Sequence, residues 1–156
     1  MENEIEKFNA AKSRWIHVRA ELDPPVAETH LATICSLCDA ALGNFFRQAG
    51  WPSNGAMSNY GRVFGFDEIL RVSHTYGMAD QGFLAIGDGP DGDYIAVNLQ
   101  SHLVGWLPFG SVFPETDIQS LFVPVECSIA THFWKGEFDW ANVAKDHCSA
   151  KKCSLI

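Results

Sequence analysis

One stretch of the sequence decides the fold: Gly82-Phe-Leu-Ala-Ile-Gly-Asp-Gly-Pro-Asp-Gly-Asp-Tyr-Ile-Ala-Val-Asn-Leu99. Two short apolar runs lie on either side of a turn of glycine, proline and aspartate, which is typical of a β-hairpin. We predict its strands over Phe83–Ile86 and Asp93–Leu99. The second strand alternates large aliphatic residues with others, which predicts an antiparallel sheet with one side on the core.

Two helices are expected before this hairpin. Apolar residues recur at steps of three and four from Phe8 to Leu22, and Asp23-Pro24-Pro25 ends that segment. A second helix with an apolar face is predicted over Ala27–Ala49. Residues 51–61 are rich in Gly, Ser, Asn and Pro and are expected to form a loop.

Short strands are expected around the hairpin, over Arg62–Phe66 and Leu103–Leu107, while Asp67–His74 fits either a strand or a helical turn. Pro124 fits the first position of a helix, and a short terminal helix is expected over Phe138–Lys145.

This order of elements predicts an α+β domain with N-terminal helices, a central antiparallel sheet and a C-terminal helix. A chain of 156 residues is long enough for one domain with a sizeable core. We expect a single domain over residues 1–156, helical over 1–50, with a sheet over 62–123 and helical again over 124–146.

The charges are unevenly distributed. No lysine or arginine lies between Arg71 and Lys135, although this window holds seven acidic residues and the net charge of the chain is −8. A negative field would repel nucleic acid and anionic lipid and attract cationic partners. No stretch approaches the roughly 20 apolar residues of a membrane span. The acidic N-terminus does not fit a signal peptide, so we expect a cytoplasmic protein.

No metal or cofactor site is expected. The hairpin aspartates lack the spacing of a calcium loop, because Leu99 stands where the required glutamate would be. Cys35 and Cys38, completed by ligands from His147-Cys148 and Cys153, could form a zinc site, but the first pair lies on an apolar helix face, where core packing is favoured. The sequence also lacks nucleophile-elbow and phosphate-loop motifs, so no catalytic residue is predicted.

Several segments resemble the SUKH superfamily, which includes fungal cell-wall-assembly regulators and many bacterial immunity proteins. They are Gly65-Phe-Asp-Glu-Ile69, Ile86-Gly87 with Gly92-Asp93-Tyr94, and the late helix Ser128-Ile-Ala-Thr-His-Phe133. The resemblance covers roughly residues 60–140. It implies a SUKH-like fold and a non-enzymatic binding domain, often an antidote to a secreted toxin that is frequently a nuclease.

The leading expectation is therefore an immunity protein that binds a cationic toxin domain through an acidic surface. Its expected partner-binding residues are five acids and one aromatic anchor, namely Asp88, Asp91, Asp93, Glu115, Asp117 and Trp106. The alternative is a small-molecule-binding domain or an enzyme whose pocket lies near Tyr94, His102 and Trp106. A purely structural subunit, which would have a large apolar patch, is a third possibility.

Overall fold

The computed structural model describes residues 2–13, 15, 17–18, 24–58, 61–89, 92–108 and 117–135. Its helices are α1 (Glu2–Lys12), α2 (Pro24–Leu37), α3 (Ala40–Gln48), α4 (Phe66–Thr75), α5 (Ile118–Leu121) and α6 (Ile129–Lys135). Its strands are β1 (His17–Val18), β2 (Ala56–Met57), β3 (Arg62–Val63), β4 (Phe83–Asp88), β5 (Tyr94–Asn98), β6 (Leu103–Leu107) and β7 (Val123–Ser128). A 3-10 turn over Ala79–Gln81 leads into β4.

The strands form one seven-stranded antiparallel sheet in the order β1-β2-β3-β4-β5-β6-β7. Every strand therefore pairs with its neighbour in the chain, and α4 lies between β3 and β4 in sequence. Helices precede the sheet and α6 follows it. The predicted α+β architecture is confirmed.

The predicted hairpin is also confirmed, because β4 pairs with β5 from Phe83 opposite Asn98 to Asp88 opposite Tyr94. Its register shifts between Ala85 and Gly87, as a β-bulge does. The prediction of one solvent-facing side is wrong. All five residues from Phe83 to Gly87 are buried, and successive residues of a strand face opposite sides, so both faces are covered here.

Strand β3 approaches β4 closely at Gly87, which lies opposite Val63. A Cβ atom on Gly87 would lie 2.3 Å from the carbonyl oxygen of Arg62. Just beyond this point, the Phe64 N–H donates to the Ile86 carbonyl at 2.9 Å. Only glycine fits this close approach without moving the backbone, so Gly87 fixes the distance between β3 and β4.

The N-terminal helices are shorter than predicted. Helix α1 ends at Lys12, and Val18 of the same apolar pattern belongs instead to β1, which pairs with β2 inside the expected loop. Leu22, the last residue of the predicted helix, lies outside the described residues. The second predicted helix is two helices. Asp39 separates them, because its carboxylate accepts the Leu42 N–H at 3.0 Å and caps the start of α3.

The prediction that Pro124 starts a helix is wrong. Pro124 lies in β7, opposite Gly105, and the helix begins only at Ile129. Among the described strands, β7 lies at one end of the sheet, and an edge strand tolerates proline because the backbone positions on its outer side need no partner in the ladder. The sheet thus runs past the predicted limit of residue 123. Phe138–Lys145 lies outside the described residues.

The sheet starts differently as well. The strand predicted over Arg62–Phe66 is limited to Arg62–Val63, and the ambiguous segment Asp67–His74 is part of α4. Helix α4 begins directly after Gly65 with acidic residues in its first turn, where they favour the helix dipole.

An aromatic cluster joins the helices beside the sheet. Phe8 of α1 stacks on Trp51 at 5.2 Å between ring centroids and meets Phe133 of α6 edge-on. The Trp51 indole N–H donates to the Phe64 carbonyl at 2.8 Å. Helix α1 is also bonded to the end of the described chain, because Lys7 Nζ donates to Thr131 Oγ1 at 3.2 Å.

His132 of α6 is a polar residue within this core. Its side chain is 1% exposed, and burial lowers the pKa of His132 to about 3. The folded protein therefore holds this imidazole neutral at pH values where an unfolded histidine binds a proton.

We expect Gly87→Ala to lower the free energy of unfolding by about 2–3 kcal/mol, because the new methyl group must push β3 away. The matched control is Gly43→Ala in α3, where a Cβ would meet only Cys35 atoms at 3.7 Å or beyond. That variant should gain up to about 1 kcal/mol from helix propensity. Urea unfolding measures both. Equal stability of the two variants would contradict the close approach.

The stability should depend on pH through His132. Its folded pKa lies below its unfolded value of about 6.5, so the unfolded state binds more protons between these values and stability falls as pH falls. Between pH 7.5 and pH 5 this single group should account for a loss of about 2 kcal/mol. Urea unfolding of the parent and of His132→Leu at both pH values isolates the effect. The same pH dependence in both proteins would contradict it.

Candidate functional site

Asp88, the first of the predicted partner-binding acids, is bound within the protein. It ends β4 directly opposite Arg62 of β3. Arg62 Nε donates to both carboxylate oxygens at 3.1 Å, and Nη2 also donates to Oδ2. The hydrogen bond with Asp88 raises the pKa of Arg62. The absence of lysine and arginine between Arg71 and Lys135 therefore does not leave Asp88 unneutralised, because its partner Arg62 lies outside that stretch of sequence.

This ion pair continues into α4. Arg62 Nη1 lies 3.6 Å from Glu68 Oε2, and Arg71 Nη2 donates to the same oxygen at 3.2 Å. The charges thus alternate along one chain of four side chains, Asp88, Arg62, Glu68 and Arg71, which we call the charge chain. It ties the turn end of the hairpin to the first turns of α4.

A polar groove of about 260 Å³ lies beside the charge chain. Its lining consists of Ser53, Asn54, Gly65, Asp67, Glu68 and Arg71. The Asp67 side chain is 72% exposed, and its carboxylate lies 3.9 Å from His30 Nε2. A carboxylate at this position remains open to solvent and to a partner.

Tyr94 is part of an aromatic cluster at the same end of the hairpin. It lies opposite Asp88 and packs against Tyr76 at 5.9 Å and Phe64 at 6.3 Å between ring centroids. Burial, followed by its hydrogen bond with Tyr76, raises the pKa of Tyr94 to about 12. Tyr94 is therefore a neutral packing residue.

The remaining predicted acids do not form one surface. Asp93 is half-buried beside Tyr94, and its carbonyl accepts the Gly89 N–H at 2.8 Å. Asp117 is exposed and precedes Ile118, whose N–H donates to Gln81 Oε1 at 2.8 Å. Gln81 lies before the start of β4, whereas Asp88 ends β4, about 17 Å of strand away. Asp91 and Glu115 lie outside the described residues.

The alternative pocket is not assembled. Tyr94 and His102 lie at opposite ends of the β5–β6 pair, because Tyr94 is opposite Leu107 and His102 precedes Leu103. Trp106 is opposite Ile95, on the other face of the sheet from Tyr94. Trp106 is half-buried against the core, and its indole nitrogen is buried.

His102 belongs to a different arrangement that the sequence did not indicate. Its Nε2 lies 2.6 Å from Asp39 Oδ2, and its φ is +64°, an unusual value for a residue other than glycine. The pKa of Asp39 is lowered by the Leu42 N–H bond first and by the His102 bond next. His102 also lines a small cavity with Glu4 and Ser128.

The side chains of Cys35 and Cys38 are partly buried within the protein. Cys35 and Cys38 are half-buried, and the Cys35 thiol donates to the Gly43 carbonyl at 3.5 Å. Burial, with a smaller effect of Cys35, raises the pKa of the Cys38 thiol to about 12, so this thiol is a poor metal ligand and nucleophile at neutral pH. Across the described parts of the chain, no group of three or more His, Cys, Asp or Glu side chains is placed to hold a metal ion.

Comparison with known proteins adds no assignment. No protein-family model matches the chain, and no curated protein sequence is similar to it at a significant level. Among the residues with described structure, no helix is both long and apolar enough to cross a bilayer.

The Arg62–Asp88 pair should stabilise the protein measurably. Asp88 is only 14% exposed and is bound at two oxygens, so a double-mutant cycle with Arg62→Met and Asp88→Asn should give a coupling energy of about 1–2 kcal/mol. The control cycle is Arg47→Met with Glu28→Gln, an exposed pair at 3.8 Å, for which we expect less than about 0.5 kcal/mol. Equal couplings in the two cycles would contradict a structural role for Asp88.

Proposed function

We propose that this chain is a non-enzymatic protein-binding domain of the SUKH type, and that it acts in the cytoplasm as an immunity protein against a cationic toxin domain. The observation that carries the proposal is the excess of carboxylates at the turn end of the hairpin. Among the residues that the structure describes, four acids, Asp67, Glu68, Asp88 and Asp93, lie there with two arginines, Arg62 and Arg71.

The pairing of these charges supports a cationic partner. Both arginines already contact Glu68 or Asp88, so the described guanidinium groups at this end neutralise internal acids. The solvent-exposed Asp67 lies 3.9 Å from one histidine nitrogen and keeps an open face. A basic protein, such as a nuclease that must hold phosphates, fits this surplus and would be steered towards it.

The scaffold beneath the acids is rigid. Strand β4 is buried on both faces, and the charge chain holds the hairpin against α4. Binding groups on such a support lose little conformational freedom when a partner docks.

The resemblance to the SUKH superfamily gains a physical explanation from the same region. Gly87 is required where β3 lies close against β4. Gly92 has a φ of +83°, which favours glycine, and Tyr94 packs against Tyr76. These matching residues therefore build the hairpin and do not themselves name a partner. The immunity role rests on the resemblance together with the acidic surplus.

The test compares two double variants with the same change of charge. Asp67→Asn with Asp93→Asn alters the turn end of the hairpin, and Asp80→Asn with Asp117→Asn alters the opposite end of β4. Asp88 is left intact because its replacement would disturb the fold. Binding is measured by stopped-flow association with a purified basic toxin domain encoded beside the gene, at about 20 mM and about 500 mM salt.

We expect the Asp67/Asp93 variant to associate several-fold more slowly at low salt and at the parental rate at high salt, because the Debye length falls from about 20 Å at the lower salt concentration to about 4 Å at the higher one. The Asp80/Asp117 variant should retain nearly parental association. If only that control slows, the partner binds at the start of β4. If neither the parent nor any variant binds the toxin domain, the immunity role is wrong.

A further inference from the structure

A second site lies away from the acidic surface, where α1, α3, the β5–β6 turn and α6 meet. It is a cavity of about 50 Å³, which is room for roughly three or four water-sized groups. Three polar side chains line it, those of Glu4, His102 and Ser128. The apolar part of its wall includes Leu42, Phe45 and Ile129.

Glu4 and His102 supply the hydrogen-bond acceptors of this cavity. The Ser128 hydroxyl donates to Glu4 Oε2, and its oxygen accepts the Thr131 N–H at 3.2 Å, so Ser128 holds the Glu4 carboxylate in place. Asp39 Oδ2 lies 2.6 Å from His102 Nε2. A carboxylate only accepts, which places the proton of a neutral His102 on Nε2 and leaves Nδ1 as an acceptor. The Glu4 carboxylate and this nitrogen of His102 together favour a cationic hydrogen-bond donor.

The backbone holds His102 in an unusual conformation. Its φ is +64°, and it is the one residue other than glycine with a positive φ in the described part of the chain. Its N–H donates to the Asn98 carbonyl at 2.8 Å, and the Asn98 side chain accepts the N–H groups of Gln100 and Ser101. Such conformations persist where the surroundings impose them and are concentrated at ligand sites.

We propose that this cavity binds the ammonium group of a short unbranched primary amine. Two N–H donors of the ammonium match the acceptors of Glu4 and His102, and the first methylenes contact the apolar wall. No lysine or arginine of the described chain lines the cavity; Lys7, one turn along α1 from Glu4, bonds Thr131. The same chemistry serves a free alkylamine or the side chain of a lysine on a partner. The site uses residues other than those of the proposed protein interface.

The experiment is a titration of the full chain with propylammonium chloride at pH 7.5, followed by ¹⁵N–¹H NMR. We expect saturable shifts confined to amides around the cavity, such as those of Leu42 and Ala130. A ligand of four heavy atoms should bind with a Kd on the order of 1–10 mM. Propan-1-ol, which has the same size and no charge, should give no saturable shift.

Glu4→Gln is the decisive variant, because glutamine keeps an oxygen for the Ser128 hydroxyl and removes only the charge. It should weaken propylammonium binding by at least about tenfold. Asp80→Asn makes the same change of charge outside the cavity and should bind like the parent. His102→Asn, whose side chain tolerates the left-handed backbone, should weaken binding several-fold without unfolding the protein, as checked by circular dichroism.

Three results would overturn the proposal: shifts that do not saturate or are spread over the acidic surface, equal binding of propan-1-ol, or unchanged binding by Glu4→Gln. A parallel titration with N-acetyl-lysine-N′-methylamide separates the two sources of the ammonium group. Binding at least as tight as that of propylammonium assigns the site to a lysine side chain, and binding of propylammonium alone assigns it to a free amine.

Discussion

The close contact of β3 with β4 at Gly87 is the constraint on which the rest of this structure depends. Because the backbone of one strand lies against the Cα of the next, Arg62 is brought opposite Asp88 and Phe64 is bonded to Ile86. The chain then turns into α4 only two residues after β3 ends. The position of α4, and with it the charge chain, thus depends on the absence of a side chain at Gly87.

The sequence predicted those features that are encoded by near neighbours. The hairpin was predictable because the alternation of β5 and the Gly-Pro-Asp turn lie within one short segment. The start of α3 could also have been found, since Asp39 followed by an apolar helical pattern is an N-cap signal. Pro124 was misplaced because its fixed φ suits both a helix start and an edge strand, and nothing local distinguishes the two.

The candidate sites were less predictable, because they depend on contacts between distant residues. Arg62 and Asp88 are 26 residues apart, and His102 and Asp39 are 63 apart. Counting charges along the chain placed Asp88 among the free acids, whereas the sheet register gives it a partner. Conversely, Asp117 shared an acidic window with Asp88 in sequence, yet the length of β4 separates them in the fold. The charge pattern of the sequence thus does not show which acids lie close together in the fold.

The hydrogen bond between α1 and α6 also has a consequence for folding during synthesis on the ribosome. Lys7 and Thr131 are 124 residues apart, as are Glu4 and Ser128. Helix α1 therefore leaves the ribosome more than a hundred residues before the segment against which it packs. Until residues near 130 emerge, the apolar face of α1, including Phe8, lacks its final neighbour. The native packing of α1 therefore cannot form until α6 has been made, and the nascent chain exposes an aromatic surface until then, which makes it a natural client for chaperones that bind apolar segments.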